Sequence, residues 1–289
     1  QGSAFARASN APDALMRHRI SARFPRFKEN SMYSKNGLRW VAGILLMFCL
    51  HWTAGAAVVL GGTRVIVREN QRETSIPLQN TGNAPFVVQS WVDEGEGKNK
   101  TPFVVTPPLQ RLDPGKENIL RILRVPGALP TDREALFWLN VKEIPEKSKE
   151  ENVLQIAVRT RIKLFYRPAS LPGSAIDART QLQWAVTEAE KGGAVLKVGN
   201  PTPYHITLSS MKVNGGQQEI SPQMVSPFGE IALPLTAVKS PQEVQFNFTT
   251  INDYGSETQE ETVRVPVADK PVAVKAEVVQ KSAGNSEKK

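Results

Sequence analysis

Residues that commonly perform acid–base, nucleophilic or metal chemistry are scarce in this sequence. It contains three histidines and one cysteine, and His18, His51 and Cys49 all fall within the first 56 residues. The remaining histidine, His205, follows a proline-rich turn, where we interpret it as a satisfied or solvent-facing side chain. One histidine without a cysteine excludes a Cys–His nucleophile and a zinc site of the usual ligand set in the rest of the chain.

Carboxylates are the remaining residues that could catalyse a reaction. The sequence has 28 Asp and Glu, and a β-sandwich hydrolase needs only two of them about 5 to 10 Å apart. Their spacing singles out no pair, and the chain has no nucleophile elbow, Walker loop or dinucleotide-binding glycine motif. The glycine-containing stretch 94–98 precedes no helix start that could bind phosphate. We therefore expect no enzyme, no cofactor and no metal, and we keep a carboxylate-dependent hydrolase as an alternative.

The positive charge of the chain is concentrated at its start. The formal net charge is +8, but residues 1–56 hold eight of the 36 Lys and Arg and two of the 28 Asp and Glu. The rest therefore has 28 cations against 26 acids and is nearly neutral. The basic average gives no reason to expect nucleic acid as a partner.

The same region has the pattern of a secretory signal. Lys35 and Arg39 precede the apolar run 40–50, and the small residues 54–56 follow as an A-x-A-like cleavage site. The run is shorter than the roughly 20 apolar residues of a transmembrane helix. We expect cleavage before Ala57 and an exported chain without stable membrane association, with an uncleaved anchor as the alternative.

The signal would occupy residues 32–56, beginning at Met32. We interpret residues 1–31 as upstream mistranslation or disordered sequence, because they do not fit a signal. Since Cys49 lies within the signal, the mature chain would have no disulfide.

The longest alternating pattern in the chain is NVLQIAVRTRIKLFYR at 152–167. Apolar residues occupy one face and mostly cations the other, with the period of two that is typical of a β-strand. Its sixteen residues exceed the usual strand length of about 3 to 10. We therefore expect the first half to project beyond the core that the second half serves. The apolar positions are Leu154, Ile156, Val158, Ile162 and Leu164.

Further short apolar segments separated by turn-forming residues predict an all-β fold with two sandwich domains, 57–170 and 171–268. A proline- and glycine-containing break at 168–173 separates the domains. In the first domain the other predicted strands are 58–67, 74–80, 86–93, 118–125 and 136–144. In the second domain they are 182–186, 194–198, 206–213, 230–235, 244–251 and 262–267.

The composition from 269 to 289 is rich in Lys, Ala, Ser and Glu. It predicts a disordered tail, with a terminal strand within 272–279 as the alternative.

Several ordered motifs resemble the PapD-like periplasmic pilus chaperones of the chaperone-usher pathway. They are LPTDREALFWLNVKEIP at 129–145, the stretch 152–168, TPPLQRL at 106–112 and INDYG at 251–255. The resemblance covers nearly all of 57–267. Ala135 replaces a frequent Ser or Thr, Glu146 replaces a frequent Pro or small residue, and the frequent cysteine pair of the second domain is absent.

The resemblance implies two immunoglobulin-like sandwiches in a boomerang arrangement and a non-enzymatic chaperone in the periplasm. Its implied mechanism is donor-strand complementation, in which the chaperone lends a strand to a pilin subunit that lacks one. The implied partners are pilin subunits and an outer-membrane usher. An exported β-sandwich binding or adhesion module remains an alternative.

The same resemblance assigns roles to individual residues. Leu154, Ile156 and Val158 would enter the groove of the subunit, while Ile162 and Leu164 would stay in the chaperone's core. An apolar edge strand of this kind would be covered in the free protein, for which self-association is one route. Periodicity by itself would make all five residues ordinary core.

The charged residues have implied roles as well. Arg64 and Lys163 would anchor the terminal carboxylate of the subunit, although the pattern alone fits solvated strand residues. Glu134, Arg167 and Asp253 match an interdomain ion network, for which ordinary surface positions are the alternative.

Overall fold

The computed structural model describes residues 57–95, 100–147 and 154–279. The predicted signal and residues 1–31 lie outside the described residues, as do residues 152 and 153 of the alternating stretch. All described residues belong to one compact unit. Within these ranges, no helix has the length and apolarity that crossing a membrane requires.

The first domain is a sandwich of two sheets. Its strands are β1 (Val58–Leu60), β2 (Arg64–Arg68), β3 (Glu73–Asn80), β4 (Phe86–Asp93), β5 (Phe103–Thr106), β6 (Leu109–Leu112), β7 (Glu117–Arg124), β8 (Ala135–Pro145) and β9 (Arg159–Arg167). One sheet has the order β1-β3-β7-β5 and the other the order β2-β9-β8-β4-β6. Alternate residues of each strand face the space between the sheets, as the period of two requires, and Leu78, Leu120 and Leu139 are fully buried there.

The second domain is also a sandwich. It contains a short helix α1 (Ala175–Ala178) and strands β10 (Gln183–Glu188), β11 (Ala194–Gly199), β12 (Ile206–Val213), β13 (Gln218–Ile220), β14 (Gln223–Val225), β15 (Glu230–Leu235), β16 (Val244–Thr250), β17 (Glu261–Val265), β18 (Val272–Ala273) and β19 (Glu277–Val278). The sheet β15-β11-β10-β18 faces the sheet β13-β12-β16-β17-β19, where β14 also pairs with β12. Trp184 forms its aromatic centre with Phe246 and Phe248, at ring-centroid distances of 5.3 and 5.0 Å.

The predicted strand 58–67 is wrong in one informative respect. The structure divides it into β1, which pairs with β3, and β2, which pairs in parallel with β9 in the opposite sheet. The chain changes sheets at Gly61 and Gly62. A Cβ atom on Gly61 would overlap the ring of Pro77, so the close approach of the two backbones requires glycine there.

The long alternating stretch is shorter as a strand than predicted, because β9 begins at Arg159. Residues 154–158 lie outside any strand. Leu164 is fully buried, whereas Leu154 and Ile156 expose 84% and 67% of their surface. The carbonyl of half-buried Val158 accepts a hydrogen bond from the Glu143 N–H at 2.8 Å, so pairing with β8 starts there.

Other differences concern short strands. β5, β6, β13 and β14 have three or four residues each, too few to show a period. β18 and β19 lie within 272–279, the range given above for a terminal strand as the alternative to a disordered tail, and they pair with β10 and β17. Residues 280–289 lie outside the described residues.

Two leucines of the alternating stretch provide a matched test of its division. We expect Leu164→Ala to lower the free energy of unfolding by about 2–5 kcal/mol, because it leaves a cavity in the core. Leu154→Ala should change it by less than about 0.5 kcal/mol, because the side chain is exposed. Urea denaturation followed by circular dichroism measures both. Equal losses would show that Leu154 belongs to the core.

Candidate functional site

Two cations lie side by side where the first domain meets the second. Arg64 of β2 and Lys163 of β9 are direct partners in the parallel register. The Arg64 Nη1 donates a hydrogen bond to the carbonyl of Ile251 at 3.2 Å, and the guanidinium lies 5.7 Å from the ring centroid of Phe165. The Lys163 Nζ donates to Thr207 Oγ1 at 3.4 Å. Both side chains therefore reach from the first sandwich to the second.

Neither cation has an anionic partner among the described residues, where no ion pair includes Arg64 or Lys163. The Arg64 Nε is buried and forms no hydrogen bond within these ranges. Burial lowers the pKa of Arg64, although the charges of Asp253 and Glu134 oppose the change. Burial also lowers the pKa of Lys163, and the neighbouring Arg64 lowers it further. An anion bound here would relieve the repulsion and accept charge-assisted hydrogen bonds.

Arg64 also borders a cavity between the two sandwiches. The cavity has a volume of about 420 Å³ and includes Arg68, Phe165, Ile251 and Asp253 among its lining residues. Its wall combines an aromatic ring and aliphatic carbon with guanidinium groups. The cavity therefore presents both apolar and charged groups beside Arg64.

A buried ion network joins the two sandwiches behind this pair. Arg167, the last residue of β9, donates from Nε to Glu134 Oε1 at 2.6 Å and from Nη1 and Nη2 to the two Asp253 oxygens at 2.6 and 2.8 Å. The second Glu134 oxygen accepts from the backbone N–H of His205 at 2.8 Å. The structure thus brings Glu134, Arg167 and Asp253 together, and it buries the His205 ring 5.3 Å from the ring of Phe165.

The charges in this network stabilise one another. Burial raises the pKa of Asp253, but the hydrogen bonds and charge of Arg167 outweigh that effect and hold it below its usual range. Burial lowers the pKa of Arg167, yet Asp253 and Glu134 together raise it above its ordinary value. Arg167 and Asp253 therefore stay ionised, and a bidentate pair of this kind fixes orientation as well as distance.

A glycine loop brings the second domain against the start of β2. Gly255 has φ of +83°, and a Cβ atom there would overlap the Thr63 side-chain oxygen, one residue before Arg64. The loop is closed by a hydrogen bond from the Gly255 N–H to the Asn252 carbonyl at 3.0 Å. Glycine thus meets both a conformational and a steric requirement beside the cation pair.

The segment that contains Leu154, Ile156 and Val158 leads directly into β9 and so into Lys163. The Gln155 side chain donates to the Glu146 carbonyl at 2.5 Å. The apolar side chains at 154 and 156 have no cover within the described chain. An exposed apolar segment is thus continuous with β9, which carries Lys163 and pairs with the strand of Arg64.

A second polar cluster holds the start of β9, and sequence reasoning did not identify it. Buried Asp93 of β4 accepts hydrogen bonds from Arg161 at 2.7 Å, Arg159 at 3.1 Å and Asn140 at 2.7 Å. Burial raises the pKa of Asp93, but Arg161 and the other donors lower it below its usual range. The Arg161 guanidinium also lies 4.3 Å from the ring centroid of Trp138. The alternating cations were visible in the sequence, whereas their carboxylate, 66 residues before Arg159, carried no signal.

Comparisons with known proteins agree with this architecture. Residues 57–172 match the model of the PapD N-terminal domain, described as a pili and flagellar-assembly chaperone, and residues 177–262 match the C-terminal domain of the PapD pili assembly chaperone. The chain belongs to the PapD-like pilus chaperones. This membership confirms the predicted family and the two-domain immunoglobulin-like β-sandwich fold, and members of the family are non-enzymatic.

Individual PapD-like chaperones are closely similar to this one. It is 44% identical to the probable fimbrial chaperone LpfB of Escherichia coli O157:H7 over 223 residues, which cover 75% of this chain and 93% of LpfB. The crystal structure of the YadV chaperone aligns with a TM-score of 0.63 at 35% identity, covering 72% of this chain and all of that one. A Salmonella enterica SafB chaperone, solved in complex with the SafA pilin, aligns with a TM-score of 0.62 at 31% identity over 72% of this chain and 96% of that one.

Two glycines with nearly the same φ angle test the contact at Thr63. Gly255 and Gly192 have φ of +83° and +82°, but only Gly255 has a neighbour within 4 Å. We expect both Gly→Ala variants to lose about 1–2 kcal/mol from the left-handed backbone. Gly255→Ala should lose a further 1–3 kcal/mol or so, because the methyl group overlaps Thr63. Urea denaturation measures the difference, and equal losses would contradict a close contact.

Proposed function

We propose that this chaperone binds pilin subunits by donor-strand complementation and holds the subunit's terminal carboxylate between Arg64 and Lys163. The observation that carries the proposal is a pair of half-buried cations without an anion in the described chain, continuous through β9 with an exposed apolar segment. The complex of the related SafB chaperone with a pilin supports a subunit as the ligand.

The exposed segment has the chemistry of a strand that is lent to a partner. Leu154 and Ile156 are two positions apart and are exposed, so both would enter one groove when the segment is extended. Burial of each side chain would contribute roughly 1.5–3 kcal/mol. The backbone of residues 154–157 lies outside any strand and forms no backbone–backbone hydrogen bond within the described residues, so its N–H and carbonyl groups are available to extend the sheet of a subunit.

The cation pair would set the register of that pairing. Val158 precedes Lys163 by five positions, which corresponds to about 17 Å of extended chain. A carboxylate bound at Arg64 and Lys163 fixes the end of the subunit's strand relative to Leu154, Ile156 and Val158. A shift of one residue would turn all three side chains away from the groove. Binding of the carboxylate at one position therefore keeps all three apolar side chains in register with the groove.

The ion network would maintain the geometry of the carboxylate site at Arg64 and Lys163. Glu134 and Arg167 belong to the first sandwich and Asp253 to the second, and Ile251 beside Asp253 holds the Arg64 guanidinium. Loss of one member would leave buried charges without partners, at a cost of about 3–5 kcal/mol. Its role in our proposal is to fix the relation between the sandwiches at the carboxylate site.

We place this activity in the periplasm, after removal of the signal, with delivery of the subunit to an outer-membrane usher. The secretory pattern at 32–56 and membership of the pilus-chaperone family support this placement. In the free protein, self-association through residues 154–158 would cover the exposed apolar side chains.

Substitution of the anchor should abolish subunit binding without unfolding the chaperone. We expect Arg64→Ala and Lys163→Ala each to weaken binding of a candidate pilin at least tenfold, because an unpaired carboxylate would remain at the interface. The exposed cations Arg72 and Lys116 provide matched controls as Arg72→Ala and Lys116→Ala. Co-purification from periplasm and titration calorimetry measure binding, and circular dichroism checks the fold.

A pilin with an amidated C-terminus completes this experiment. It should bind the wild-type chaperone about as weakly as the normal pilin binds Lys163→Ala, because it lacks the charged group. Full binding by both Ala variants, or by the amidated pilin, would refute the anchor.

The donor segment is tested by a charge at its centre. We expect Ile156→Asp to abolish pilin binding, because it would bury a carboxylate in the apolar groove, while the free protein keeps its stability. Ala157, which is exposed and has the opposite parity, provides the control as Ala157→Asp. Binding is measured as above. If Ile156→Asp instead unfolds the free chaperone, or if both variants bind pilin normally, residues 154–158 are not the donor strand.

A further inference from the structure

A buried carboxylate of the first sandwich has only one hydrogen-bonded oxygen. Glu143 lies on β8, faces the space between the sheets and exposes 3% of its surface. Its Oε2 accepts from the backbone nitrogen of Ala57 at 3.2 Å. Its Oε1 is buried and has no partner among the described residues. Burial raises the pKa of this group, although backbone N–H groups of Val58 and Ala57 lower it in part. The Oε1 atom is therefore free, within the described residues, to accept a hydrogen bond from a cation.

The nitrogen that faces Glu143 is held in place from several sides. The Ala57 carbonyl accepts from the Thr81 N–H at 2.7 Å and from Thr81 Oγ1 at 3.1 Å. A Cβ atom on Gly82 would lie 2.8 Å from the Ala57 Cβ, so the loop after β3 closes directly over this residue. The next side chain, Val58, is buried in the core. The Ala57 nitrogen is therefore fixed between the two sheets, with β3 on one side and β8 on the other.

The sequence predicts that a leader peptidase cuts the chain at this nitrogen. Hydrolysis of the 56–57 peptide bond adds one water molecule. The carbonyl carbon of Ala56 keeps the oxygen and leaves as a carboxylate, and the Ala57 nitrogen becomes an amine that takes up a proton. An amide with one N–H thereby becomes an ammonium with three N–H donors and a positive charge.

We propose that Glu143 is a binding site for the chain's own mature N-terminus, so that cleavage directly before Ala57 converts one N–H···O bond into a buried ion pair. The ammonium has enough donors for Oε1 as well as Oε2. This inference goes beyond subunit binding and rests on the predicted cleavage site.

The consequence is a link between processing and folding. Before cleavage, an ionised Glu143 is buried without a compensating charge, which is costly. After cleavage the ion pair stabilises the sandwich and holds β1, which has only three residues and lies at a sheet edge. The chain reaches Arg64 seven residues after Ala57, so the pinned terminus also limits motion at the start of β2.

A four-variant cycle tests the ion pair. One chain begins at Ala57, and a second begins at Gly55 and so retains two residues of the leader. Each is made with Glu143 and with Glu143→Gln, and urea denaturation measures the folding equilibrium constant. In the chain that begins at Ala57 we expect Glu143→Gln to reduce this constant at least tenfold, because it removes the charge partner. In the longer chain the same substitution should leave it unchanged or increase it.

Acetylation of the N-terminus and a control at Glu117 test the same ion pair independently. Nα-acetylation of the unsubstituted chain from Ala57 should reproduce the loss without altering Glu143, so the test survives if Glu143→Gln does not fold. Exposed Glu117 of β7 provides the control, as Glu117→Gln should act equally in both chains. Mass spectrometry of the periplasmic protein identifies its first residue. Equal effects of Glu143→Gln in both chains, no effect of acetylation, or a first residue other than Ala57 would overturn the proposal.

Discussion

The parallel pairing of β2 with β9 is the interaction on which the candidate site depends. It places Arg64 directly beside Lys163, although 98 residues separate them in the sequence. Two neighbouring cations repel each other and lose hydration on burial, and both effects oppose folding. The backbone pairing of β2 with β9 and the hydrogen bonds of the two side chains to Ile251 and Thr207 offset this unfavourable free energy. A site that is unfavourable while empty has its charge compensated when an anion binds, which is the property a binding site for a carboxylate needs.

The two sandwiches meet through groups that would be costly if they were not paired. Arg167 bridges Glu134 and Asp253 with hydrogen bonds of 2.6–2.8 Å, and the Gly255 loop approaches Thr63 so closely that a side chain is excluded. Such buried ion pairs contribute little to the net free energy of folding, because desolvation offsets much of their attraction. Their main effect is to fix the geometry of the contact between the sandwiches. Here they keep the Ile251 carbonyl within hydrogen-bond distance of Arg64. The position of a side chain in the first domain therefore depends on the fold of the second. The same logic applies to Asp93, which fixes Arg159 and Arg161 at the start of β9.

The exposed segment before β9 combines two opposing requirements. Its apolar side chains must be accessible if they are to enter a partner, yet accessible apolar edges favour unwanted association. The structure leaves Leu154 and Ile156 outside the core and anchors the chain immediately afterwards, where Val158 bonds to Glu143. The exposed segment therefore ends opposite Glu143, and the side chain of Glu143 accepts the hydrogen bond from the Ala57 nitrogen. Ala57, β8 and the end of the exposed segment meet at one place in the first sandwich.

Local alternation in the sequence determined much of the fold, because a period of two assigns each side chain to one face of a strand. It predicted β4, β12 and β15 with the observed bounds. The excess length of the alternating stretch predicted that its first half projects from the core, and the ordered motifs predicted the family. Pairing over long distances was decided only by the tertiary structure. The change of sheet at Gly61, the carboxylate that holds Arg159 and Arg161, the partners of β18 and β19, and the contact of Ala57 with Glu143 all depend on which segments become neighbours. Periodicity describes the faces of one segment, and partners are selected by the packing of the whole sandwich.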